Sequence, residues 1–195
     1  MSWRHDLGIQ EKDIVERPAP LDASGQPVAD ADAEAEVIRR ISAQLDAMPE
    51  DRARYLAGFA YILSRAALAD LTVSAEETAQ MERTVVEVGA IPEAEAVLVV
   101  EMAKTQSRLY GATEDYIITR DWSSRATTDQ KLALLRACYL VAATALISAE
   151  ENATLQQIAN EFGLDADQVK AVRSEFYEKL SVVQALRAQQ EEQPG

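Results

Sequence analysis

The chain has 195 residues, 19 Lys and Arg against 33 Asp and Glu, a formal net charge of −14 and a pI near 4.5. That length suffices for one compact domain or two small ones, and the charge argues against a sequence-independent grip on nucleic-acid phosphates or anionic lipid. One His and one Cys cannot supply the roughly four N/S ligands of a tetrahedral zinc site, nor form an intrachain disulfide.

Only 7 Gly and 6 Pro interrupt a chain rich in Ala, Glu, Leu and Gln, the composition of helices joined by short loops. Residues 1–33 read as a flexible tail: Pro18, Pro20, Gly25 and Pro27 break any period, and Trp3, Leu7 and Ile9 are its sizeable apolar groups. No apolar run follows the first positive charge, so a secretory signal is not expected. A single helical domain is expected over 34–188, with a loose terminus at 189–195.

Val37, Ile41 and Leu45 recur every four residues and predict an amphipathic helix over 34–48. Residues 55–68 and 132–147 are apolar on nearly all sides, which places both in the centre of a bundle. The second of these is shorter than the ~18 apolar residues of a membrane span and carries Arg136. Pro92 fits the first turn of a helix running through Val97, Val100 and Met102. A shorter helix is expected over 113–121, followed by a loop at Ser123-Ser124-Arg125. No segment alternates with period two, and the predicted fold is all-α, a bundle of seven to eight helices.

A shift of 74 residues lays Ala69–Glu77 over Ala143–Glu151 without a gap. Met81, Thr84, Val85 and Val88 then match Leu155, Ile158, Ala159 and Phe162, the i, i+3, i+4, i+7 stripe of a helix. The two units, about 55–104 and 129–178, each read as a buried helix, a turn and a second helix opened by a capping box. Ser74 with Glu77, and Ser148 with Glu151, have the S-x-x-E spacing, and Asp165 with Gln168 repeats the logic. Gly89 and Gly163 are placed to end helices in the left-handed conformation. The predicted result is a pseudo-twofold bundle.

These turns and caps resemble the TerB-like domains of tellurite-resistance proteins and the amino-terminal domain of the DjlA co-chaperones. In those families an apolar helix ends in Ala-Asp-Gly, followed by Ile/Val-Ser/Thr and two acidic residues. Asp70, Val73-Ser74 and Glu76-Glu77 keep the pattern, as do Ile147-Ser148 and Glu150-Glu151. Thr144 replaces the second aspartate, and Leu71 and Ala145 replace the glycines. The resemblance spans roughly residues 50–180. It implies an intracellular helical protein linked to tellurite or other chemical stress, acting with membrane-associated protein partners and with metal ions; from the residues themselves, with the single His in the tail and no phosphate-cradling glycine loop, a cytoplasmic non-enzyme is expected. It leaves homo-oligomers open.

Two site readings follow from the first turn. Glu76, Glu77, Glu82, Glu87, Glu93, Glu95 and Glu101, offset by Arg83 and Lys104, form an acidic surface for a basic protein partner, with Asp70, Glu76, Glu77 and Glu82 as the expected contacts. Alternatively, Asp70, Glu76 and Glu77, with Glu150 and Glu151 as a weaker set, offer oxygens to a hard cation such as Ca²⁺ or Mg²⁺. Against an EF-hand, Ala75 occupies the glycine position and Met81 that of the closing glutamate. Capping alone also accounts for Ser74 and Glu77. Leu155–Phe176 has the outline of a helix-turn-helix, but its reading helix opens with Asp165 and Asp167, which repel phosphate. Cys138 reads as a buried inert thiol, and Phe59, Tyr61, Tyr139, Phe162 and Trp122 as packing groups.

Overall fold

The computed structural model describes residues 29–67, 75–109, 115–144 and 146–191. Within them the chain forms α1 (Ala29–Asp46), α2 (Glu50–Ala66), α3 (Ala75–Glu87), α4 (Glu93–Leu109) and α5 (Asp115–Arg125). Then follow α6 (Thr128–Ala142), α7 (Ala149–Glu161), α8 (Ala166–Glu175), a 3₁₀ turn at Tyr177–Lys179 and α9 (Ser181–Glu191). The described residues contain no strand, and the all-α expectation holds.

The two apolar helices occupy the centre as expected. α2 packs against α1, α4, α5, α6 and α7, and α6 against α2, α3, α7 and α8. Leu56, Phe59, Ile62 and Leu63 of α2 and Leu134, Leu135, Cys138 and Tyr139 of α6 are fully enclosed. α6 is less completely covered than its composition suggests, since Leu140 reaches solvent and Arg136 pairs with Glu175 at 3.0 Å. The repeat is visible in the element bounds: α3 and α7 are related by the same 74-residue shift.

Several boundaries differ from the sequence reading. α1 starts at Ala29 rather than 34. α6 ends at Ala142, because the next residues turn so that Ile147 can pair with the far end of the domain. Ile147 donates its N–H to the Lys179 carbonyl (2.8 Å) and accepts from Ser181 N–H (2.9 Å), an isolated parallel bridge to Leu180. The expected loop at Ser123–Arg125 is instead the last turn of α5. There Ser124 Oγ donates to the Asp121 carbonyl (2.7 Å) and buried Ser123 Oγ to the Phe162 carbonyl (3.0 Å), so these hydroxyls are satisfied inside a helix.

The capping boxes predicted at Ser148/Glu151 and Asp165/Gln168 are both formed, and a third, Thr127/Gln130, opens α6. Gly163 adopts the left-handed conformation, with φ of 67°. Gly89 does not; Ala90 does, with φ of 51°. The repeat shift falls from 74 to 73 residues across this turn, aligning Ala90 with Gly163 and Pro92 with Asp165. Gly89 serves close packing instead: a Cβ there would lie 2.5 Å from the Val85 carbonyl oxygen and 3.0 Å from Phe59.

Candidate functional site

The acidic residues singled out in sequence do not form one described cluster. Asp70 and the Ser74 cap lie outside the described residues, and Glu77 lies on α3 outside the described side chains. Glu76 is exposed in the first turn of α3, whereas Glu82 is half-buried. Six residues on a helix put these two about 120° apart, so they belong to different faces. The outward stripe of α3 is Glu76, Gln80, Arg83 and Glu87, all exposed, with Arg83 donating to Gln80 Oε1 at 2.8 Å. Glu87, part of the expected acidic surface but not of the expected contacts, joins Glu76 on this stripe through the i, i+4, i+7, i+11 spacing.

Around that stripe, distant arginines neutralise much of the acidic surface. Arg52 of α2 pairs with Glu95, and Arg40 of α1 with Glu101 at 2.6 Å. These partners lie 43 and 61 residues away in the chain.

In the second unit Glu150 is exposed and Glu151 is occupied locally. Its Oε2 accepts from Ser148 N–H at 2.7 Å, while Glu151 N–H donates to Ser148 Oγ at 3.1 Å. Among the described residues, no three His, Cys, Asp or Glu side chains come together as a metal-ion site. Asp165 and Asp167 are exposed at the start of α8, with Asp165 spent on the cap. The helix-turn-helix segment thus leads with negative charge.

Cys138 is enclosed, and burial pushes its thiol up to about 12, so it carries almost no thiolate at neutral pH. Burial likewise raises the Tyr55 and Tyr139 phenols.

Trp122 is a packing group, 4% exposed, whose indole N–H donates to the Tyr55 carbonyl at 3.0 Å. Its ring meets Tyr55, Phe59 and Phe162 at centroid distances of 5.5, 6.4 and 5.4 Å. Gly58 permits this approach, since a Cβ there would stand 2.5 Å from the indole ring. Beside it, an open pocket of about 600 Å³ is lined by Arg52, Arg54, Tyr55, Trp122, Arg125 and Gln130, among others.

Behind the aromatic cluster lies a buried ion pair that sequence reading missed. Arg65 of α2 donates Nη1 to Glu161 Oε2 at 2.6 Å and to Thr119 Oγ1 at 2.5 Å. Gln157 Nε2 supplies a further bond to Glu161 Oε1 at 2.9 Å. The two charged side chains are 7% and 4% exposed. This network ties α2, α5 and α7, and hence the two repeat units, together.

The family model described as Tellurite resistance protein TerB matches residues 56–174. The chain belongs to this family. The matched region begins inside α2 and ends inside α8, so it takes in both central helices, both capped helices and the buried pair. α1, the 3₁₀ turn and α9 are additions outside the matched TerB region. No curated protein and no solved structure matched the chain. No helix among the described residues is long and apolar enough to cross a membrane.

Proposed function

We propose that this TerB-family chain is a non-enzymatic, cytoplasmic interaction module of a chemical-stress response, recognising a basic protein partner through the outer stripe of α3. The observation that carries this reading is the pair Glu76 and Glu87. Both carboxylates remain exposed, and among the described residues neither is ion-paired, while neighbouring Glu95 and Glu101 are neutralised from α2 and α1. Eleven residues separate the two, so they share one face of the helix. With a net charge of −14 behind them, they draw cationic surfaces by long-range attraction and set the orientation of encounter more than the final affinity.

The test is affinity capture from tellurite-challenged cells in chelator, comparing wild type with a Glu76→Lys, Glu87→Lys chain. The expected result is a protein retained by wild type at low salt, released as salt rises, and lost by the charge-reversed chain. Retention unaffected by the reversal refutes the stripe. Retention that requires added Ca²⁺ or Mg²⁺, and that an Asp70→Ala, Glu77→Ala chain loses, replaces the adaptor reading with a cation sensor.

A further inference from the structure

We propose that the pocket between α2, α5 and the start of α6 binds a small organic anion, a single carboxylate carried on a planar apolar body. Its volume of about 600 Å³ lies within the range of small-molecule sites and is too small for a folded partner. The floor is aromatic: Tyr55 and the edge of Trp122, with Gly58 and Ile118 beside them. The rim is guanidinium, and in so acidic a chain the gathering of Arg52, Arg54 and Arg125 at one opening stands out.

The charges facing the pocket can be assigned one by one. Arg52 is matched by Glu95 and lies over the Tyr55 ring, 5.3 Å from its centroid, so it forms a wall. Arg54 and Arg125 converge on the same Asp121 carboxylate, at 3.4 and 3.3 Å. Arg125 spends Nε and Nη2 on the two Asp121 oxygens, at 3.3 Å each and longer than the ~2.7–2.9 Å of a tight charge-assisted bond, which leaves its Nη1 for an incoming carboxylate. Among the described residues of the lining, Asp51, exposed, is the further negative group and holds the site to ligands of single charge. Gln130 has its Oε1 engaged by Thr127 N–H in the α6 cap, which leaves its amide N–H groups as the neutral donor beside Arg125. A planar apolar body beside Tyr55 and Trp122, whose rings already meet each other and Arg52, with its carboxylate toward Arg125 and Gln130, uses the apolar and the polar groups of the lining together. A cation meets three guanidiniums, and a neutral amide leaves Arg125 Nη1 facing an uncharged oxygen.

The indole N–H resonance of Trp122 is a built-in reporter, and Trp3→Phe in every protein makes it the only one. The probes are benzoate, its neutral isostere benzamide, and benzylammonium. Benzoate is expected to shift the resonance saturably, with both other probes much weaker. Arg125→Gln is expected to weaken benzoate by about tenfold, the scale of one hydrogen bond to a charged group. That variant removes only an exposed i,i+4 pair with Asp121 and keeps the wild-type melting curve. Equal binding of benzamide or benzylammonium, unchanged benzoate affinity in Arg125→Gln, or no saturable shift with benzoate would each overturn the proposal.

Discussion

The ion pair between Arg65 and Glu161 sets up a quantitative test of what joins the two repeat units. Both side chains are nearly sealed from water, at 7% and 4% exposure, so Arg65→Ala leaves the Glu161 carboxylate buried without this counter-ion. At an effective dielectric of about 20 and a charge separation of about 4 Å, the lost attraction is on the order of 4 kcal/mol. Breaking one partner of a buried pair costs about 3–5 kcal/mol in general, and the two figures agree. Arg65→Ala is therefore expected to lower stability by about 3–5 kcal/mol. At roughly 2–4 °C per kcal/mol for a chain of this size, Tm falls by about 6–20 °C.

The double variant separates an electrostatic cause from a packing one. Arg65→Met with Glu161→Leu keeps volume and removes both charges, and replacement of this kind is often neutral or stabilising by about 1–4 kcal/mol. Thr119 and Gln157 lose partners in it, which offsets part of that gain. The assay is urea unfolding followed by far-UV circular dichroism, with m-values compared to confirm a shared unfolding transition. The reasoning fails if Arg65→Ala melts within about 1 kcal/mol of wild type, or if the double variant loses as much as Arg65→Ala does.

Two further outcomes follow from particular residues. Ala90 occupies the left-handed region with φ of 51° and an exposed side chain, whereas Gly163 fills the matching place in the second unit. Ala90→Gly is expected to raise stability, and Gly163→Ala to lower it, each by about 1 kcal/mol in thermal melts; equal melting of all three chains would contradict the assignment. For Cys138, burial raises the thiol from 9.0 to about 12. Above pH 9 the unfolded chain releases this proton while the native chain holds it, so stability is complete below pH 9 and falls toward pH 12, by about 1.4 kcal/mol per pH unit at most. Cys138→Ala should show a shallower alkaline decline than wild type in urea melts, and identical slopes would sink the point.

The sequence by itself settled what depends on neighbours within a turn or two. Helical class followed from apolar spacing, the paired units from a shift of 74 residues, and the caps at Ser148 and Asp165 from S-x-x-E and D-x-x-Q. The TerB resemblance rested on the same local pattern and is borne out across residues 56–174. Local pattern misled where a single residue of slippage or a distant partner intervened. Gly89 looked like the left-handed cap because glycine usually is, but the extra residue in the first turn moved that role to Ala90. Ser123 and Ser124 looked like loop formers, yet Ser124 bonds back to the Asp121 carbonyl of its own helix and Ser123 to the Phe162 carbonyl, which only the folded chain brings near.

Tertiary structure alone decided which charges remain for function. Glu87 and Glu161 occupy the same place in the repeat, one turn after Arg83 and Gln157 respectively. Glu87 faces solvent, while Glu161 is sealed against Arg65, a residue 96 positions away. Glu95 and Glu101 were part of an acidic surface until α2 and α1 delivered Arg52 and Arg40 to them. The rim of the pocket was assembled in the same way, from arginines of two helices that share Asp121. Backbone hydrogen bonds and caps span three or four residues, so periodicity encodes them. Charge pairing in the interior depends on which helices pack together, because desolvation forces each buried charge to find a partner wherever the fold supplies one.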